Sequence, residues 1–98
     1  MMTQETFWRL FESKEIAYKI FTYENPNAED GEVSSGEVIT FEYQGKFYLR
    51  ICESHKPVGY RKRYKNGGWD WAKIKEFDSK EHANAYFKKA FGKYTRFA

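Results

Sequence analysis

The chain has 98 residues, 41 % hydrophobic and 20 % aromatic, with 17 Lys and Arg against 14 Asp and Glu. That length suits a single domain over residues 1–98, burying about two thirds of the surface its unfolded chain exposes. The lone cysteine, Cys52, excludes an intrachain disulfide and a cysteine-rich zinc cluster, and the charges at Glu5, Arg9, Glu12 and Lys14 interrupt any signal-peptide core or membrane span.

A cytoplasmic protein without membrane association is therefore expected. The net charge of +3 hides a division: residues 1–54 hold 5 Lys and Arg against 10 Asp and Glu, and residues 55–98 hold 12 against 4, for nets of −5 and +8. A basic half attracts polyanions at long range, although charge alone also describes an ordinary solvated surface. Because the only leucines are Leu10 and Leu49, Phe, Tyr and Trp must build most of the core.

Thr3 is placed to cap a first helix, with Phe7, Leu10 and Phe11 at helical spacing and an end near residues 13–15. IAYKIFTY, residues 16–23, reads as a strand from its β-branched and aromatic content, with Ile16, Tyr18 and Ile20 on one side. Residues 24–36, rich in Pro, Gly, Asn, Asp and Ser, read as the longest loop. EVITFEY and KFYLRICE then flank Gln44-Gly45, which predicts a two-residue hairpin with Phe41 opposite Tyr48 and Thr40 opposite Leu49. Apolar residues on both sides of these strands predict a pair covered on two faces.

After SHKPVG, residues 58–75 read VGYRKRYKNGGWDWAKIK. A turn at Asn66-Gly67 sets Tyr64 opposite Trp69, Arg63 opposite Asp70 and Lys62 opposite Trp71, each a favourable cross-strand pair. Alternation puts Tyr60, Lys62, Tyr64, Trp69, Trp71 and Lys73 on one side, and Arg61, Arg63, Lys65, Asp70, Ala72 and Ile74 on the other. Burying two indoles removes more apolar area from water than burying Ala72 and Ile74, so the Trp side, continued by Lys75 and Phe77, is the expected core face, with Arg61, Arg63 and Lys65 outward as a phosphate-contacting stripe. With the Trp side outward instead, Tyr60, Tyr64, Trp69 and Trp71 form a platform on which bases can stack between Lys62 and Lys73. The last element is a helix with a capping-box-like start at Asp78 and Glu81 and a stop at Gly92. Ala83, Tyr86, Phe87, Ala90 and Phe91 share its apolar face, and Lys88, Lys89 and Lys93 sit on its polar side or near its C-terminus.

Catalytic signals are sparse. Cys52 and His55, three apart on a strand, point to opposite faces, which suits a small semi-buried thiol at a strand end better than a nucleophile and its base. His82 lacks a second histidine one turn away, the acidic loop Glu29, Asp30, Glu32 lacks the ligand spacing of a calcium loop, and Gly67-Gly68 matches no phosphate-cradling motif. Neither a catalytic set, a metal site nor a cofactor is expected.

A strand, a basic aromatic hairpin, a Phe and a helix of the form A-x-x-x-F-x-x-x-F (Ala83, Phe87, Phe91) follow one another over about the last fifty residues. This order faintly resembles the WGR domain, a small nucleic-acid-associated module. The Trp-Gly-Arg triplet itself is missing, GGWDWAKI standing roughly in its place, and no residue role is carried over.

The expected architecture is α+β, an antiparallel sheet of four to five strands with an N-terminal and a C-terminal helix packed against it. The expected function is a non-enzymatic nucleic-acid-binding or nucleoprotein-associated module. Its contact residues would be Tyr60, Arg61, Lys62, Arg63, Lys65, Trp69 and Lys73 of the hairpin and Lys88 and Lys89 of the last helix, with a single-stranded DNA or RNA or a nucleoprotein complex as partner. The rival reading is a protein-binding adaptor or inhibitor, such as a phage or mobile-element accessory factor that blocks a larger enzyme, since exposed aromatics serve protein contacts equally well.

Overall fold

The computed structural model describes residues 1–56 and 71–93. Helix α1 (Gln4–Glu12) starts as expected: the Thr3 hydroxyl accepts a hydrogen bond from the Thr6 N–H at 3.0 Å. It closes with a Schellman motif, the Glu15 N–H donating to the Leu10 carbonyl at 3.0 Å and the Lys14 N–H to the Phe11 carbonyl at 3.2 Å. Lys14 consequently takes φ 61°, a left-handed conformation that favours glycine. The reversal drops Ile16 into the same buried cluster as Phe7 and Leu10.

Strands β1 (Tyr18–Glu24), β2 (Val33–Tyr43), β3 (Lys46–His55) and β4 (Trp71–Phe77) form one antiparallel sheet in sequential order. Four strands and two helices give the expected α+β class. The β2–β3 register is the one read from the sequence, Phe41 opposite Tyr48 and Thr40 opposite Leu49. Gln44 and Gly45 both take positive φ, 51° and 79°, as a turn matching the strand twist requires.

Two boundaries differ from expectation. Ile16 precedes β1 rather than belonging to it, and the loop expected over residues 24–36 shrinks to 25–32, because Glu24 pairs within β1 and Val33–Gly36 belong to β2. Gly and Ser disguise this strand start. At its far end a register shift between Val33 and Ser35 marks a bulge. The extra residue re-aims Val33, so that it packs beside Tyr23 and Phe91 instead of on the opposite face.

The two helices cover opposite faces of the sheet. On one side, Phe7 and Leu10 of α1 pack on Ile39, Phe41 and Tyr48, with Phe11 and Ile74 at the margin. Phe7 and Leu10 are fully buried, each contributing about 1.5–3 kcal/mol by removal of apolar area from water. On the other side, helix α2 (Lys80–Phe91) lays Ala83, Tyr86, Phe87, Ala90 and Phe91 on Tyr23, Val38, Leu49 and Ile51. The apolar face assigned to this helix from its spacing is the face it buries.

The N-cap of α2 is Ser79, whose hydroxyl accepts from the His82 N–H at 3.1 Å, and not Asp78. Asp78 reaches instead to Lys46 Nζ at 2.5 Å, which holds its carboxyl below the usual carboxylate range through that hydrogen bond and charge. Lys46 thus ties the start of β3 to the β4–α2 junction. In β4, Phe77 packs on Tyr86 at 5.5 Å as the expected core side requires, but Ile74 on the other side packs into the α1 cluster. With a helix on each face, this strand has no wholly solvent-facing side.

Candidate functional site

One end of the sheet is organised around a single row of cross-strand partners. Tyr23, Gly36, Glu53 and Trp71 are partners in one row across all four strands. The Tyr23 hydroxyl donates to the Glu53 carboxylate across β2, and the ring occupies the space where a Cβ at position 36 would stand. Phe91, at the end of α2, packs on the same Tyr23 ring at 5.2 Å. The last turn of α2 therefore overlies the end of the sheet at which β3 leaves and β4 enters.

That end is anchored at its base. Lys56 follows β3, and its backbone exchanges bonds with the 25–32 loop: the Lys56 N–H donates to the Glu32 carbonyl at 2.7 Å and the Gly31 N–H to the Lys56 carbonyl at 2.9 Å. Lys56 Nζ also donates to the Ala28 carbonyl at 3.1 Å. Gly31 accommodates this with φ 87°. The acidic loop is thus a brace against the end of β3, and the Glu29 N–H to Glu32 Oε1 bond at 2.9 Å stiffens it.

Of the residues singled out in the sequence, Lys88 and Lys89 are exposed in the last turn of α2, where the negative end of the helix dipole favours cations. Lys73 is half-buried on the α2 side of β4, near Lys75, whose Nζ sits 5.0 Å from the centroid of the Tyr86 ring. Tyr60, Arg61, Lys62, Arg63, Lys65 and Trp69 lie outside the described residues. So do the turn at Asn66-Gly67, the Tyr64–Trp69, Arg63–Asp70 and Lys62–Trp71 pairings, and the facing of the tryptophans.

Cys52 is fully buried inside β3, not semi-buried at its end, because β3 runs on to His55 and lies under α1. Burial pushes its thiol above the ordinary range despite the opposing charge of Arg50, whose Nη1 lies 2.9 Å from the sulfur. A thiol so held is neutral at physiological pH and a poor nucleophile. Among the described residues no three His, Cys, Asp or Glu side chains converge on a point that could hold a metal ion.

Arg50 is the residue that sequence reasoning passed over. It is only 8 % exposed, with its guanidinium 5.1 Å from the Phe7 ring centroid and 4.7 Å from that of Trp8, and its Nε donates to Gln4 Oε1 at 2.8 Å. A lone arginine in the apolar run KFYLRICE, sharing its alternation with Tyr48 and Cys52, was the available signal.

An open cleft of about 510 Å³ lies at the other end, between β1 and the first turns of α2. Phe21, Phe47, Leu49 and Phe87 line it, with Lys19 and Lys80 among its polar residues.

No protein-family model, curated protein or solved structure matches the chain. Among the described residues, no helix is long and apolar enough to cross a membrane.

Proposed function

We propose that this protein is a non-enzymatic nucleic-acid-binding module that grips the backbone of a single strand with the cationic end of its sheet. The observation that carries the reading is positional. Exposed Lys88 and Lys89 sit in the turn of α2 above the strand ends that open onto residues 57–70, the segment holding Arg61, Lys62, Arg63 and Lys65 against the single acid Asp70. Two cationic elements distant in sequence then act on one stretch of phosphates, while Tyr60, Tyr64 and Trp69 supply rings for unpaired bases.

The test is electrophoretic mobility of labelled single-stranded and duplex oligonucleotides with the native chain, with Lys88→Gln/Lys89→Gln and with Arg61→Ala/Arg63→Ala. The native chain is expected to retard single strands in preference to duplex. Each double variant should weaken binding across all sequences and lower the salt slope by about 1 for every phosphate it no longer neutralises. Failure of the native chain to retard any oligonucleotide at low salt would overturn the reading.

A further inference from the structure

Large apolar side chains exposed among the described residues are Met1, Trp8, Tyr18 and Ile20, the last three at 41, 44 and 40 % exposure. Trp8 packs edge-on against Phe11 at 5.4 Å, and Phe11 packs on Tyr18 at 4.8 Å. Tyr18 and Ile20 alternate onto the α1 side of β1. This strand stands at one end of the strand order: among the described residues its sheet neighbour is β2, which leaves its other side as an edge of the described sheet.

Among the described residues, the two outermost strands of the sheet differ in composition. β4 carries Lys73, Lys75 and Glu76 within seven residues, the charged composition that discourages strand pairing. β1 carries Lys19 and, at its very end, Glu24, with Tyr, Ile, Phe and Thr between and beside them. Of these two strands, only β4 carries such a run of charge.

We propose that β1 is a self-association edge, at which a second copy of this chain pairs β1 to β1 antiparallel and joins two four-stranded sheets into one of eight. A two-fold axis perpendicular to the sheet keeps each face on its own side, so Tyr18 and Ile20 of both copies meet on the α1 side, flanked by the two Trp8–Phe11 pairs. Centred on Ile20, the register opposes Ile20 to Ile20, Lys19 to Phe21 and Tyr18 to Thr22. Ile20 then meets Ile20 and no like charges face each other, whereas parallel in-register pairing would set Lys19 against Lys19 and Glu24 against Glu24. An isologous interface requires this self-complementarity, and the exposed side chains and the outer edge of β1 in the described sheet coincide on it.

The test is light-scattering mass of the full chain on size exclusion from about 1 to about 500 µM, since a dimer answers to concentration. The mass is expected to rise from 11.8 kDa toward twice that value. Ile20→Lys, at an exposed site, should raise the dissociation constant at least ten-fold, and Ala72→Lys in β4 should leave it unchanged. On the native chain, amide exchange in residues 18–24 should slow with concentration while that in β4 does not. A monomer at every concentration, a dimer indifferent to Ile20→Lys, or exchange in β1 that ignores concentration would each overturn the proposal.

Discussion

Tyr23 and Glu53 are two strands apart, yet the phenol donates directly to the carboxylate because β2 carries glycine between them. Any side chain at position 36 would stand within the Tyr23 ring. The contact therefore joins β1 to β3 over the intervening backbone, and by seating Phe91 on the same ring it fixes where the last turn of α2 comes to rest.

Gly36→Ala should destabilise the protein by about 1–3 kcal/mol through overpacking, and Tyr23→Phe by about 1.5 kcal/mol through loss of a hydrogen bond to a charged acceptor. Combined, they should cost less than the sum, since the alanine already displaces the ring whose hydroxyl the phenylalanine removes. Urea unfolding of the four-member cycle measures this; strict additivity would show that the ring and its hydroxyl act independently.

Arg50 is buried by α1 without a carboxylate within ion-pair distance among the described residues; an amide, a thiol and two rings hold it. Arg50→Ala should cost about 2–3 kcal/mol, the joint loss of a charged hydrogen bond and a desolvated cation–ring contact. Arg50→Lys should recover little, because an ammonium lacks the planar donors that reach Gln4 and Cys52 together. Thermal unfolding gives the stabilities, and full recovery by lysine would show that only the positive charge matters.

Burial raises the Cys52 thiol above its ordinary pKa in the folded state. A raised folded value means that the contribution to stability is complete below the ordinary thiol range and is lost as pH climbs through the folded value. The melting temperature should therefore fall on the alkaline side, and Cys52→Ala should remove the first part of that fall. Tyr48, also raised by burial foremost and then by Glu76, leaves a second part at higher pH. Alkylation of Cys52 at neutral pH should require unfolding; rapid modification of the native protein would contradict its placement.

Lys14 occupies the left-handed position of the α1 Schellman motif. Lys14→Gly should stabilise the fold by about 0.5–1 kcal/mol, the relief of the Cβ clash less the added freedom of the unfolded chain. Denaturant midpoints at unchanged slope would measure it. A loss of stability would show that the lysine side chain contributes more than its backbone costs.

Much of this fold was legible in the sequence. Thr3, the Phe41–Tyr48 register and the apolar face of α2 could be read because local periodicity, turn chemistry and burial agree there. The start of β2 was hidden because Gly36 serves a ring from the neighbouring strand, a tertiary requirement that local composition cannot express. Asp78 resembled a cap until Lys46, 32 residues away in sequence, claimed it. The candidate site was readable as charge and aromatic content in one segment. The position of Lys88 and Lys89 at the end of the sheet where β3 ends and β4 begins was not, since that follows from the direction in which α2 crosses the sheet.

The measurement that bears most directly on the proposed function is fluorescence anisotropy of a labelled single-stranded oligonucleotide titrated with the native chain at stepped salt. With roughly four phosphates neutralised, log K against log salt should fall with a slope of about −3, an affinity loss on the order of fifty-fold between about 50 and 200 mM. Absence of binding at the lowest salt, or binding whose strength does not change with salt, would contradict it.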